Sequence, residues 1–121
     1  TTVDELHDVL VAFKNEDPNG NGQADEIPMS FIFPESNGSW CAGMGIFMAP
    51  FGCTDFNLDH RAAEDGKVYY QGASEAYRDA LAYYHDWYAE GLIDIEVFSQ
   101  DSSQYIAKGS GEDARLGTFV W

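Results

Sequence analysis

The stretch of residues 17–28 places oxygen-bearing side chains at alternating positions around a central glycine. Asp17, Asn19 and Asn21 take the first, third and fifth positions of an EF-hand-like loop, where side-chain oxygens ligate calcium. Gly22 follows at the sixth position, where such loops turn sharply. The spacing therefore predicts a structural calcium site with these ligands: Asp17, Asn19, Asn21, Gln23 through its backbone carbonyl, Asp25 and Glu26.

The end of this loop departs from the EF-hand pattern. Pro28 stands at the twelfth position, where a bidentate Glu is expected, so no second helix supplies that ligand and Glu26 is the nearest substitute. Without a cation, three carboxylates crowd one short loop, and a like-charged pair about 4 Å apart costs about 4 kcal/mol at an effective dielectric of about 20. The alternative is a polar turn in which Asp and Asn side chains bond their own backbone. The spacing alone leaves both interpretations open.

The residues on either side of the loop predict a helix before it and a strand after it. Thr2 and Glu5 form a capping box, and apolar residues recur at helical spacing, so a helix should cover residues 3–16. The short apolar run 29–33 is bounded by prolines and favours a buried strand over a second EF-hand helix. The expected order is helix, ion loop, strand.

The remaining sequence predicts further helices, a hairpin and a final strand. Ser74 is typical of an N-cap and Gly91 of a left-handed terminator, and between them aromatic residues repeat at intervals of three and four. That stripe favours core packing, although aromatic rings also serve as platforms for sugars. The other predicted elements are a helix at 40–51, a hairpin of strands 54–59 and 67–71 that turns at 63–66, a helix at 101–108 and a strand at 116–121.

The composition indicates a single folded domain over residues 1–121. With 45% hydrophobic and 15% aromatic residues, a chain of 121 residues can build a core of its own. The formal net charge of -15 argues against nucleic acid and anionic membrane surfaces as direct partners. Cys41 and Cys53 form either one disulfide or two unpaired thiols, and the sequence leaves both open.

No catalytic constellation is present in the sequence. His7, His60 and His85 are scattered, and no neighbouring Cys completes a transition-metal site. No serine lies in a Gly-x-Ser-x-Gly elbow, and no P-loop occurs. With 21 acidic residues, any carboxylate pair chosen for glycoside hydrolysis would be arbitrary. We therefore predict a binding role and no enzyme activity.

Several segments, taken in order, resemble one protein family. They are Thr-Thr-Val-Asp-Glu-Leu at 1–6, the loop at 17–28, Asp-Gly-Lys-Val-Tyr-Tyr at 65–70, Glu-Ala-Tyr at 75–77, Tyr-Ala-Glu-Gly-Leu-Ile-Asp at 88–94 and Gln-Asp-Ser-Ser-Gln at 100–104. Together they resemble the extracellular solute-binding lipoproteins of bacterial ABC importers, in the family 1 group that includes oligosaccharide and alginate binders. The resemblance covers nearly the whole chain and is weakest between Phe33 and Asp59. Such proteins are two-lobed and several times longer, so we expect an excised piece of one lobe.

The resemblance implies a fold, a function and partners. The implied fold is α/β, an incomplete lobe of a type II periplasmic-binding-protein-like architecture, helix-rich with a short sheet and a small hairpin. The implied function is the substrate-binding component of an ABC importer for an oligosaccharide, with calcium stiffening the scaffold. The partners would be the carbohydrate and the permease subunits, at the cell surface, where a lipid anchor outside this chain holds the protein. A parallel pair between strands 29–33 and 116–121 would support this interpretation.

Two tryptophans are candidates for sugar contact, because sugar rings present apolar faces that pack on aromatic rings. In the family, the strand that ends near Trp121 leads toward the cleft between lobes, so Trp121 is the first candidate. The alternative for Trp121 is a position in the core. Trp40 is the second candidate, and its alternative role is packing under the loop at 35–39. The alternative function is a calcium-stabilised accessory module of a larger secreted carbohydrate-active enzyme. Dockerin-like modules repeat the calcium loop, whereas one such loop occurs here.

Overall fold

Helix α1 spans Val3–Asn15 in the computed structural model, which describes residues 2–32, 44–53, 61–110 and 115–119. The predicted capping box is confirmed: Thr2 donates its N–H to Glu5 Oε2 at 2.7 Å, and the Glu5 N–H donates to Thr2 Oγ1 at 3.1 Å. The other elements, in chain order, are β1 (Ile27–Ser30), a 3-10 helix (Met44–Phe51), β2 (Arg61–Glu64), β3 (Lys67–Tyr70), a short 3-10 helix (Gln71–Ala73), α2 (Glu75–Ala89), α3 (Ser102–Ser110) and β4 (Leu116–Phe119).

The sheet joins β1 and β4 in parallel, which confirms the predicted pairing of the two segments. Strand β1 begins before the predicted residues 29–33, because Ile27 already donates its N–H to the Arg115 carbonyl at 2.8 Å. On its other side, Met29 forms a parallel bridge with Ile93, just after α2. Strand β1 therefore has a neighbour on both sides and is buried from its second residue onward.

Helix α2 has the two ends that the sequence predicts. The hydroxyl oxygen of Ser74 accepts the N–H of the residue three positions on, at 3.2 Å. At the other end Gly91 has a φ of 71°, and Leu92 donates its N–H to the Trp87 carbonyl at 2.9 Å. In the aromatic stripe, Tyr84 and Trp87 are buried, which confirms core packing for these two rings.

Strands β2 and β3 form the predicted small hairpin, but its first strand and turn differ from the prediction. Asp65 and Gly66 make the turn, with φ values of 50° and 75°, as the two central residues of a type I′ turn require. Ala63, expected in the turn, lies in β2 opposite Val68. The predicted strand at 54–59 lies outside the described residues. The Asp-Gly pair therefore determines the register of the hairpin.

The helix predicted at 40–51 is of a different type where the structure describes it. Residues 44–51 form a 3-10 helix, and residues 40–43 lie outside the described ranges. Pro50 has no N–H and cannot continue an α-helical ladder. Phe47 and Phe51 pack edgewise on Tyr84, each with ring centroids 5.8 Å apart. The predicted helix is thus present as a 3-10 helix over 44–51, and its aromatic residues pack on α2.

Helix α3 is capped by its own side chains and runs slightly beyond the predicted residues 101–108. The Gln104 N–H donates to Asp101 Oδ1 at 2.8 Å, and the Asp101 N–H donates to Gln104 Oε1 at 2.8 Å. In the described part of the chain, no helix has the length and apolar character needed to span a membrane.

The core lies where α1, α2 and β1 meet the segment after α2. Its buried residues are Leu10, Met29, Phe31, Met48, Cys53, Ala80, Tyr84, Trp87, Leu92, Ile93 and Val97. Cys53 is a buried free thiol, and burial raises its pKa. Its predicted alternative partner, Cys41, lies outside the described residues.

Candidate functional site

The loop between α1 and β1 is built from residues in a backbone conformation that most L-amino acids avoid. Asp17, Gly20 and Gly22 have φ values of 46°, 71° and 74°. Glycine adopts this region without steric cost, and Asp is among the few other residues that tolerate it. A Cβ atom at Gly20 or Gly22 would meet no atom within 4 Å. The two glycines are therefore required by the turns of the backbone and not by crowding.

The side-chain oxygens of the loop point to its interior and accept backbone N–H groups. Asp17 accepts twice, at Oδ1 from Asn21 at 3.1 Å and at Oδ2 from Gly22 at 2.8 Å. Asn19 Oδ1 also accepts the Asn21 N–H, at 3.0 Å. The Asn21 side chain accepts the Gln23 N–H at 2.7 Å through Oδ1. The structure thus brings the predicted ligands of the first half of the loop together.

The second half of the loop carries two further acidic candidates. The Nδ2 of Asn21 donates to Asp25 Oδ1 at 3.2 Å, which ties the two halves together. Arg115 Nη1 lies 3.7 Å from Asp25 Oδ2. The Oε1 atom of Glu26 is buried and has no hydrogen-bond partner in the described structure. A buried carboxylate oxygen in this state gains stability from a positively charged group.

No group of three or more His, Cys, Asp or Glu side chains that could hold a metal ion occurs among the described residues. The six predicted calcium ligands include three such side chains, Asp17, Asp25 and Glu26, and the described structure does not bring these three together as a metal-binding group. The other three predicted ligands are Asn side chains and a backbone carbonyl, which calcium also accepts. The loop therefore remains a predicted calcium site.

A buried polar cluster lies at the carboxyl end of β1. Ser30, the last residue of the strand, donates its hydroxyl to Asp94 Oδ2 at 2.6 Å. Gln100 Nε2 donates to Ser30 Oγ at 3.0 Å and to the Phe31 carbonyl at 2.8 Å. These bonds hold the segments after β1 and after α2 against each other.

Lys108 of α3 closes this cluster with two ion pairs. Its Nζ lies 2.5 Å from Asp94 Oδ2 and 2.7 Å from Glu96 Oε2. Burial raises the pKa of Asp94, but the hydrogen bonds from Lys108, Ser30 and the Glu96 backbone outweigh it, so this pKa lies below its ordinary value. Burial lowers the pKa of Lys108, but its bonds to Asp94 and Glu96 prevail, so that pKa is raised. Both groups are therefore charged at neutral pH.

The polar cluster was not found from the sequence, although the sequence contains a signal for it. Asp94 and Gln100 belong to two of the segments on which the family resemblance rests, at 88–94 and 100–104. Both are buried in the structure, with exposed fractions of 8% and 7%. A polar residue that lies in one of these resembling segments, outside the predicted loop, is therefore a candidate for a buried structural role.

A cleft of about 280 Å³ separates α1 and α2 on the surface. His7 lines this cleft, with Nε2 3.0 Å from Glu90 Oε2 and its ring centroid 5.6 Å from that of Trp87. Tyr83 donates its hydroxyl to Asp4 Oδ1 at 2.9 Å across the same cleft. These contacts join the two helices, and His7 has a packing role here.

The two predicted sugar-contacting residues, Trp121 and Trp40, lie outside the described residues. The described strand β4 ends at Phe119, shortly before Trp121. The assignment of Trp121 to sugar contact therefore stays a prediction.

The chain is similar in sequence to curated bacterial transport proteins. It is 43% identical over 122 residues to the fructooligosaccharide ABC transporter substrate-binding protein FusA of Streptococcus pneumoniae, which covers 99% of this chain and 21% of FusA. It is 33% identical over 109 residues to the lipoprotein LipO of Bacillus subtilis, which covers 86% of this chain and 20% of LipO. The chain therefore spans about a fifth of the length of these relatives. No family model matches the chain.

Solved structures agree with the sequence comparison. FusA in complex with kestose matches with a TM-score of 0.82 at 42% identity, over 97% of this chain and 23% of the FusA chain. The FusA EF-hand mutant in complex with fructo-nystose matches with a TM-score of 0.81 at 41% identity, over 97% of this chain and 23% of that chain. An extracellular solute-binding protein from Bifidobacterium longum subsp. infantis matches with a TM-score of 0.79 at 40% identity, over 97% of this chain and 25% of that chain.

The homologues of this chain are ABC-transporter substrate-binding proteins, and the chain corresponds to one segment of them. One relative that matches it in both sequence and structure is FusA of Streptococcus pneumoniae. These homologues are transport proteins that bind substrates and are not enzymes. The predicted fold class, an α/β partial lobe with a short sheet, is confirmed.

Proposed function

We propose that this chain is part of the substrate-binding component of a bacterial ABC importer that takes up an oligosaccharide. The observation that carries the proposal is the 43% identity with FusA over 99% of the chain. The solved complex of FusA with kestose supports a carbohydrate as the ligand. The role is capture of the sugar and its delivery to the permease subunits, without catalysis.

The proposed location is the outer face of the cell. One similar structure is an extracellular solute-binding protein, and LipO is a lipoprotein. The first supports an extracellular location, and LipO supports attachment through a lipid anchor outside this chain. The acidic chain, with a net charge of -15, is repelled by anionic membrane surfaces, so the anchor and not the protein surface would hold it there.

The sheet supports a sugar contact near Trp121. Strands β1 and β4 are parallel, so their carboxyl ends lie at the same edge. In open α/β sheets, ligands bind in the crevice outside the carboxyl ends of the strands. Trp121 comes two residues after the end of β4 in the sequence, and we assign it as the first aromatic platform for a sugar ring and Trp40 as the second.

The loop at 17–28 is proposed to hold a structural calcium ion through its six predicted ligands. Each of its side-chain oxygens has two lone pairs, so an oxygen that accepts an N–H retains capacity for a cation. The buried and unpartnered Oε1 of Glu26 fits a positively charged neighbour. The EF-hand of FusA, altered in one solved structure, also supports the proposal. A bound ion would neutralise the carboxylates that crowd the loop.

Calorimetric titration of kestose into the protein that carries this chain tests the proposed function. We expect saturable binding of kestose and none of glucose, which offers one ring instead of three. A second titration in excess chelator separates the roles of the two ligands, because calcium would stabilise the scaffold away from the sugar. Absence of saturable binding for kestose and for longer oligosaccharides would refute the carbohydrate role.

A further inference from the structure

The loop contains two Asn-Gly steps, Asn19–Gly20 and Asn21–Gly22. In such a step the backbone nitrogen of the glycine, after losing its proton to water, attacks the side-chain Cγ of the asparagine. The new C–N bond closes a five-membered succinimide, the Cγ–Nδ2 bond breaks and ammonia leaves. Water then opens the ring at either carbonyl and gives aspartate or isoaspartate. Glycine favours this reaction because it has no side chain to obstruct the approach.

The Asn21–Gly22 step is protected by its hydrogen bonds. The Gly22 N–H donates to Asp17 Oδ2 at 2.8 Å, and a carboxylate at that distance opposes loss of the proton. The Asn21 carboxamide is held at both atoms, by the Gln23 N–H at 2.7 Å and by Asp25 Oδ1 at 3.2 Å. The nucleophile and the reacting group are therefore both restrained.

The Asn19–Gly20 step is restrained much less. The Gly20 N–H donates to a neutral acceptor, the Asp17 carbonyl, at 3.0 Å. The Asn19 carboxamide accepts one N–H, from Asn21, and its Nδ2 is buried but has no hydrogen-bond partner in the described structure. The nitrogen that must leave as ammonia therefore has no hydrogen bond to break in the described structure.

We propose that Asn19 is a site of spontaneous deamidation in the folded chain and that Asp17 protects Asn21 from the same reaction. The reaction changes the third position of the loop. Aspartate there adds a carboxylate to the predicted ligands, whereas isoaspartate inserts an extra carbon into the backbone and disturbs the alternating spacing. This consequence for calcium rests on the calcium site proposed above; the choice between the two asparagines does not.

Peptide mapping by mass spectrometry, during incubation of the folded chain at mildly alkaline pH in excess chelator, tests the proposal. We expect Asn19 to convert about tenfold faster than Asn21, the factor that corresponds to a charge-assisted hydrogen bond of modest strength. In denaturant, the two rates should become equal. Equal rates in the folded chain, or conversion of Asn21 ahead of Asn19, would overturn the proposal. So would an intact Asn19 under conditions that convert the denatured chain.

Two variants isolate the role of the carboxylate. Asp17→Ala releases the Gly22 N–H, so the rate at Asn21 should rise about tenfold toward that of Asn19. The milder Asp17→Asn, which keeps a hydrogen-bond acceptor but removes the charge, should give an intermediate rate. Asp8→Ala removes an equal charge from the exposed face of α1 and should leave both rates unchanged. If Asp17→Ala folds and Asn21 remains as slow as before, Asp17 is not the protecting group.

Calcium binding by fresh and aged chain then distinguishes the two proposals. A change of calcium affinity that follows the conversion of Asn19 supports both. If the chain binds no calcium but Asn19 still converts ahead of Asn21, the deamidation proposal stands and the calcium proposal fails.

Discussion

Replacing Lys108 by Met is expected to destabilise the chain more than any surface substitution. The change keeps the aliphatic stem and removes the charge that faces Asp94. The two side chains are only 5% and 13% exposed, and removal of one partner from a buried pair costs about 3 to 5 kcal/mol. Asp94 would keep its bonds from the Ser30 hydroxyl and the Glu96 N–H, so we expect the lower end, about 3 kcal/mol.

Urea unfolding at neutral pH measures this loss, and its pH dependence tests the cause. The pKa of Asp94 is lower in the folded chain than its ordinary 3.8, so its ionised form stabilises the fold above that value. This contribution is lost as the pH falls through the folded pKa. Without Lys108 the folded pKa of Asp94 rises, so the deficit of Lys108→Met should shrink as the pH is lowered and Asp94 takes up a proton.

Two further variants make the test specific. Asp94→Asn combined with Lys108→Met leaves no buried charge and should recover most of the loss. Arg78→Ala breaks an ion pair whose side chains are 73% and 61% exposed, and should cost less than about 1 kcal/mol. If Lys108→Met costs no more than Arg78→Ala, or if its deficit is independent of pH, the reasoning about the buried pair is wrong.

Three other predictions concern calcium, alkaline pH and sugar. Calcium at 100 times its dissociation constant should add about 2.7 kcal/mol to the free energy of unfolding. Thermal melts with and without chelator measure this gain, which Asp17→Ala should abolish and Asp8→Ala should leave intact; equal gains in both variants would reduce the loop to a polar turn. Burial raises the pKa of Tyr84 to about 12, so stability should fall as the pH rises from 10 to 12, where the tyrosine ionises only when unfolded. The drop should be on the order of 2 kcal/mol and should be smaller in Tyr84→Phe, and melts in which both chains lose equal stability would contradict it. Trp121→Ala should weaken oligosaccharide binding by about 1 kcal/mol or more while the calcium-dependent melt is unchanged; calorimetry that gives an unchanged affinity would remove Trp121 from the site.

Elements with local start and stop signals were predictable from the sequence. The Thr2 capping box, the Ser74 N-cap and the Gly91 terminator each act over three or four residues, and all three are confirmed. The parallel pairing of β1 with β4 was also predicted, but through the resemblance to solute-binding proteins and not through a local pattern. Local sequence signals thus predicted the helices, and the family resemblance predicted the long-range strand pairing.

The features that the sequence analysis failed to predict depend on the exact turn, on helix type or on contacts between distant residues. The register of the hairpin is set by the Asp-Gly turn at 65–66. The sequence analysis placed the turn at 63–66 and therefore missed the pairing of Ala63 with Val68. The segment at 44–51 is a 3-10 helix, and Pro50 near its end has no N–H to continue an α-helix. The cluster of Ser30 and Asp94 joins residues that are far apart in the sequence, so no spacing rule reveals it.

The predicted calcium loop illustrates what a motif can and cannot specify. Spacing alone predicted the inward-pointing oxygens of Asp17, Asn19 and Asn21, because alternating positions around a tight turn share one side. The motif does not specify which residue would replace the last ligand, and Glu26 stays a prediction. Glu26 was the nearest acid in the sequence, and its buried oxygen is the feature that the motif gave no reason to expect.

The pairing of β1 with β4 also constrains the order in which the chain folds. It joins Ile27 to Leu116, so closing this sheet fixes a loop that contains most of the chain. The entropy cost of closure grows with loop length, and contacts between distant residues slow folding. Helices α1 and α2, which have their own caps, are therefore expected to form first. The sheet edge near which the sugar is proposed to bind would be among the last parts of the chain to assemble.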